Sequence, residues 1–222
     1  MDQGPKSYWA EFLGTFALCF VGQGSIVMQQ ASGNPSLLVI AAAHGIALAT
    51  MISALGVWSG AHFNPAVTLG FVVTRRMSLT SAITYWLSQL LGAIAASFLL
   101  RAVVPGEAGE MVHYGVPMLA TGVSAGQGFL LEFVMTFLLV TAVWGTAVDE
   151  RGPRIGGFGI GLVVFADILV GGPLTGAAMN PARAFGAACA SGVWTNHWIY
   201  WLAPMAGGVG AARVYKSLLS SR

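Results

Sequence analysis

Two stretches decide the architecture of this chain: Ser59-Gly60-Ala61-His62-Phe63-Asn64-Pro65-Ala66 and Thr175-Gly176-Ala177-Ala178-Met179-Asn180-Pro181-Ala182. Asn is a favoured helix N-cap and Pro suits the first helical position. Each Asn-Pro-Ala therefore predicts a helix start. The apolar runs that follow, Asn64–Thr74 and Asn180–Ala190, are short. A bilayer core of about 30 Å takes roughly 20 apolar residues to cross. These runs cannot cross it, so they are buried, re-entrant or interfacial.

Outward from them lie six longer apolar stretches: Tyr8–Met28, Leu37–Val57, Ser81–Val103, Gln127–Val148, Ile155–Gly171 and His197–Ser217. The reading is an all-α membrane protein with six transmembrane helices and two re-entrant half-helices. The first stretch contains Glu11 and lacks a convincing cleavage site after it, so it reads as a retained span. Composition agrees. Of 222 residues, 56 % are hydrophobic and 8 % charged, and mean hydropathy is +0.74. Soluble domains carry roughly 25 % charged residues. A soluble enzyme, a disordered tail and a nucleic-acid binder are excluded, the last because a net charge of +2 supplies no basic patch. Cys19 and Cys189 sit in apolar stretches without metal-ligand spacing and read as small hydrophobes. No pattern calls for a metal, a cofactor or a catalytic group.

The chain repeats itself. Trp9-Ala10-Glu11-Phe12 opens the first span, and Leu130-Leu131-Glu132-Phe133 opens the fourth. Each is followed by Thr-Phe and then, two helices on, by Asn-Pro-Ala. The whole chain, 1–222, reads as a single domain of two repeats, about 8–104 and 126–217. Three spans per half make the halves enter the membrane with opposite polarity, so the Asn-Pro-Ala loops approach from opposite faces. Lys6, Arg75, Arg76, Arg151, Arg154, Arg213, Lys216 and Arg222 fall on one side, Arg101 and Arg183 toward the other. The positive-inside rule then puts both termini in the cytoplasm. The Val104–Ser124 connection, with Glu107 and Glu110, becomes an outer loop.

Inverted repeats with interrupted helices point to a midplane permeation or binding site. Each half-helix presents the positive end of its dipole. Where two such ends meet, water can bond the two Asn amides, while a cation meets repulsion and dehydration.

On these residues the chain resembles the aquaporin, or major intrinsic protein, family. The resemblance runs from about Tyr8 to Tyr215 and rests on Ser-Gly-Ala-His-Phe-Asn-Pro-Ala-Val-Thr at 59–68 and Met-Asn-Pro-Ala-Arg-Ala-Phe-Gly at 179–186. It implies an hourglass pore in each subunit of a homotetramer. It also implies an outer constriction formed by His44, Ile168, Ala177 and Arg183. That quartet resembles plant vacuolar-membrane and ammonia-permeable aquaporins. Its implied solutes are water, ammonia, hydrogen peroxide and possibly urea. Tyr200-Trp201, with Ala184 and Ala188, is similar to the water branch rather than the glycerol branch. Ala187 departs from the usual Pro after Gly186.

The resemblance further implies that Glu11 and Glu132 brace the re-entrant loops and that His62 lines the cytoplasmic part of the pore. Arg183, a charge at membrane depth, is expected to donate to solutes and repel cations. His44 is expected to donate to solutes and to hold Arg183. Asp167 has no assigned role. Small residues such as Gly14, Gly22, Gly92, Gly161 and Gly208 are expected at helix contacts, and Trp58, Trp194, Trp198 and Trp201 at interfaces. A water-selective or glycerol-permeable channel and a coupled secondary transporter are the alternatives. Short termini and loops suggest a bacterial-type plasma membrane.

Overall fold

The computed structural model describes residues 4–220; Arg222, assigned above to the basic side, lies outside them. The described residues contain helices and no strand. In chain order they are α1 (Pro5–Ala31), α2 (Leu37–Ser59), α3 (Pro65–Val73), α4 (Leu79–Val103), α5 (Gly106–Met111) and a 3₁₀ turn (His113–Gly115). Then come α6 (Ala125–Val143, extended by a π turn over Trp144–Val148), α7 (Phe158–Thr175), α8 (Pro181–Ser191) and α9 (Ile199–Ser220). α3 and α8 are the expected half-helices. The outer connection holds α5 and the 3₁₀ turn, which hydropathy did not reveal.

Five helices are long and apolar enough to cross a membrane: α1, α2, α4, α6 continued through its π turn, and α7. The sixth, α9, has the length at 22 residues. Its sequence is diluted by glycine and alanine and carries Arg213 and Lys216. α7 begins at Phe158 rather than Ile155, because residues 149–157 form a turn-rich loop.

Starts are set locally. Ser78 caps α4 by accepting from Ser81 N. Ser124 and Gln127 form a reciprocal capping box on α6. Glycines let helix backbones touch. A Cβ on Gly45 of α2 would lie 2.6 Å from the Gly161 carbonyl oxygen of α7, and one on Gly161 would lie 2.3 Å from that of Gly45. A Cβ on Gly92 of α4 would meet the Phe12 carbonyl of α1, and one on Gly207 of α9 the Phe133 carbonyl of α6, at 2.4 and 2.3 Å. Phe12 and Phe133 each follow a repeat glutamate. The two halves therefore close with the same contacts.

The half-helices point opposite ways. The last turn of α8 is held at its Ala190 carbonyl by Arg101, at the end of α4. The carbonyl of Thr74, just past α3, accepts from Lys216 near the end of α9 at 3.3 Å. Their N-termini meet in the interior, where the site forms.

Candidate pore and its selectivity constriction

Each half-helix begins with an asparagine that does two jobs. Asn64 Oδ1 accepts from Ala66 N at 2.8 Å, and its Nδ2 donates to the Met179 carbonyl at 2.8 Å. Asn180 Oδ1 accepts from Ala182 N and Arg183 N at 3.0 and 3.3 Å, and its Nδ2 donates to the Phe63 carbonyl at 2.8 Å. One hydrogen of each amide is thus committed to the opposite loop. The second hydrogen of each remains for the cavity. Pro65, Ala66, Pro181 and Ala182 form the first turns behind the asparagines.

The preceding loops are irregular and buried, so their polar groups need partners. Gly60 and Gly176 end α2 and α7 in the left-handed conformation. Ala61, Phe63, Ala177 and Met179 also have φ between 43° and 51°. Such backbone is held only by surrounding contacts, and Glu11 and Glu132 provide them. Glu11 accepts from Ser59 Oγ (2.7 Å), His62 N (2.9 Å), Phe63 N (2.7 Å) and Gln89 Nε2 (2.7 Å). Glu132 accepts from Thr175 Oγ1 (2.7 Å), Ala178 N (2.9 Å) and Met179 N (2.8 Å). Both carboxyl groups are fully buried behind the loops and stay out of the cavity lining.

Two tyrosines complete the brace. Tyr85 Oη donates to the Ser59 carbonyl and Tyr200 Oη to the Thr175 carbonyl, each at 2.9 Å. They were not singled out as a pair from sequence. The signal was there: Tyr-Trp-Leu stands at 85–87 and again at 200–202.

Between the loops runs a narrow cavity with about 40 Å³ open to the centres of water molecules. His62, Asn64, Asn180, His44, Ile168, Ala177 and Arg183 all line it, together with aliphatic side chains such as Leu48, Val143 and Val164. With the glutamates holding the loop N–H groups, no backbone N–H among the described residues reaches the carbonyls of Ala61, His62, Ala177 or Ala178. A wider cavity, about 250 Å³ on the same measure, opens beyond and is lined by Ile26, Val116, Met118 and Gly176. His44, Ile168 and Arg183 line both cavities and so mark the neck between them. Three of the four residues expected at the constriction thus meet at this neck, and Ala177 lines the narrow cavity.

At the neck, His44 Nδ1 lies 2.9 Å from the Ile40 carbonyl. A carbonyl only accepts, so Nδ1 carries the proton and Nε2 of the neutral ring is an acceptor. In this tautomer Nε2 accepts from a solute instead of donating to it as expected, and no hydrogen bond from His44 to Arg183 is seen among the described residues. Its ring packs against α1, where a Cβ on Gly22 would lie 2.4 Å from Nε2. Arg183 is 3 % exposed, and no protein acceptor among the described residues reaches its Nε or Nη1. Asp167 is 6 % exposed, its Oδ2 has no protein donor among the described residues, and it does not line the cavity. Cys19 is buried as expected, whereas Cys189 is half-buried. Among the described residues no cluster of metal-binding side chains occurs.

Outside the spans, Arg151 grips Asp149 through Nε and Nη2 at 2.8 and 2.7 Å, and this holds the Asp149 carboxyl well below the usual range. At the opposite end, Trp201 Nε1 donates to His197 Nε2 at 3.0 Å, and burial lowers the His197 pKa.

Two half-helices meeting N-terminus to N-terminus around one bore, within a bundle of membrane-length helices, define an integral membrane channel. The chain belongs to the major intrinsic protein family, whose model matches residues 3–215. It is 43 % identical over 224 residues to "Probable aquaporin TIP3-2" of Arabidopsis thaliana, covering 95 % of this chain and 82 % of that one. It is 44 % identical over 223 residues to "Aquaporin TIP4-1" of the same plant, covering 98 % and 87 %. Its fold matches the aquaglyceroporin of Plasmodium falciparum with a TM-score of 0.88, at 25 % identity and 97 % coverage of both chains.

Proposed function

We propose that the chain, as one channel unit of two repeats, conducts water and small neutral solutes passively and excludes protons and ions. The observation that carries this reading is the meeting of the two Asn-capped helix starts inside the narrow cavity. Each start bears roughly half a positive charge. A neutral solute satisfies the free amide hydrogens with its lone pairs. A cation has to shed water and approach two positive dipole ends. In a single file, a central water oxygen bonds to Asn64 and Asn180 and turns its hydrogens away on both sides. That orientation interrupts a continuous proton wire.

At the neck, His44, Ile168, Ala177 and Arg183 act as the selectivity filter. Arg183 donates, His44 accepts through Nε2, and Ile168 and Ala177 supply an apolar wall. Solutes with both a lone pair and an N–H or O–H fit this arrangement: water, ammonia, hydrogen peroxide and, by size, urea. A water-only or glycerol-permeable bore is the alternative within the same class. A coupled transporter needs a carboxylate in its path, and the position of Asp167 outside the cavity lining argues against it. We further propose a homotetramer, checked by its mass in detergent. Cytoplasmic termini follow from the charge asymmetry.

Paired stopped-flow measurements on proteoliposomes test the reading with water, ammonia, hydrogen peroxide, urea and glycerol, alongside a proton-leak assay. Fast water flux without proton leak is expected. Swelling or shrinkage no faster than in empty vesicles, or uptake driven by a proton gradient, overturns it.

A further inference from the structure

The first repeat holds a polar chain that the second lacks. Gln89 Nε2 donates to the Glu11 carboxylate at 2.7 Å, and its other hydrogen reaches Thr68 Oγ1 at 3.0 Å. Rotating the amide would set Gln89 Oε1 against that carboxylate. The observed orientation leaves Oε1 without a protein donor among the described residues, a smaller penalty than two facing acceptors. Thr68 Oγ1 also lies 3.1 Å from the Asn64 carbonyl and 3.0 Å from His62 Nδ1. A hydroxyl has one hydrogen and two lone pairs. One lone pair takes Gln89. The Asn64 carbonyl accepts only, so the hydroxyl hydrogen belongs there. The remaining lone pair then faces His62 Nδ1, which must carry a hydrogen. The opposite tautomer would leave the Thr68–Asn64 oxygen pair with no hydrogen between them.

We infer that Thr68 is a positioning residue that fixes the tautomer of His62, so that His62 turns a bare Nε2 acceptor into the bore. The ring has little freedom to escape this. It is 4 % exposed, stacks on Phe71 with centroids 4.2 Å apart and meets the edge of Tyr85 at 5.2 Å. Its Nε2 is not among the buried unpartnered atoms, and the residue lines the cavity. The equivalent positions of the second repeat are Ala178, Ala184 and Pro204, which offer no such chain. There the acceptor comes from His44 instead, whose Nδ1 faces a backbone carbonyl. The bore thus has an imidazole acceptor on each side of its two Asn donors. The consequence for flux rests on the channel reading; the tautomer does not.

The test is ¹⁵N solid-state NMR of histidine-labelled protein in bilayers, with His62 assigned by its loss in His62→Gln. The expected spectrum has Nδ1 protonated and Nε2 bare. Thr68→Val should mix the tautomers, and Thr68→Ser should restore the original one. In vesicles Thr68→Val should lower water permeability about fivefold, the effect of roughly one lost hydrogen bond, with Thr68→Ser near the parent. A protonated Nε2 in the parent protein, or an unchanged spectrum in Thr68→Val, overturns the inference. Absent water flux with the expected tautomer overturns the channel reading and leaves this one standing.

Discussion

Asn64 and Asn180 hold each other's loops: each side-chain amide donates at 2.8 Å to the carbonyl of the residue just before the other asparagine. Each also caps its own helix. The two motifs are therefore one structural unit, although more than a hundred residues of chain separate them.

That coupling predicts non-additivity. Asn180→Ala removes a cap, worth about 1 kcal/mol, and a buried hydrogen bond of about 1 kcal/mol. Thermal melts of the purified protein should show each single alanine variant destabilised by about 2 kcal/mol. The double variant should lose clearly less than the sum, because the loops have already parted. Strict additivity would mean that the cross-bonds contribute nothing.

Glu132→Gln tests the loop brace. The carboxylate accepts three hydrogen bonds with both oxygens. A glutamine retains one acceptor oxygen and turns an NH₂ toward the N–H of either Ala178 or Met179. The expected cost is about 3 kcal/mol, from a buried donor left facing a donor. Yield and melting temperature in detergent report it. Native-like melting of Glu132→Gln would remove Glu132 from the brace.

The filter assignment predicts a split between solutes. His44→Phe fills the neck and removes an acceptor, so ammonia and peroxide flux should fall about tenfold, against about twofold for water, as a lost contact of about 1 kcal/mol plus narrowing would give. Equal losses for all solutes would displace His44 from the filter. Arg183→Ala should admit cations, read as vesicle conductance, while neutral flux persists.

His197 gives the pH prediction. Burial lowers its pKa in the folded protein, while an unfolded histidine titrates near about 6.5. The folded form thus favours the neutral ring. Its stabilisation is complete above about pH 6.5 and is lost as pH falls from there toward the lowered folded value. The Trp201 N–H loses its acceptor at the same time. Melting temperature should fall on acidification through this window in the parent and less steeply in His197→Phe. Parallel curves would refute the coupling.

Much of this was legible because Asn, Pro and Glu leave few options at membrane depth. The bracing role of Glu11 and Glu132 came from the family resemblance, and it agrees with the need of buried irregular backbone for hydrogen-bond partners. The neck residues were found by register along those motifs. The direction of the His44 ring could not be read, since it depends on the Ile40 carbonyl one turn earlier. Nor could α5, whose six residues are too few for periodicity to show. The Tyr85 and Tyr200 hydroxyls could not be read, since their partners, the Ser59 and Thr175 carbonyls, lie at the ends of other helices. α9 stood out least by composition, because glycine and alanine lower hydropathy in the helix that packs most closely on α6.

The mutual contact of Gly45 and Gly161 bears on how this bore can be altered. Backbone meets backbone there, so these two glycines set how closely α2 and α7 approach. His44 is the immediate neighbour of that fulcrum, and Ile168 lies two turns along the other arm. Side chains at these two positions are inserts in a frame already set. Exchanging them retunes the aperture while its mounting stays put. Any residue larger than glycine at 45 or 161 moves both arms and changes the aperture for every solute at once.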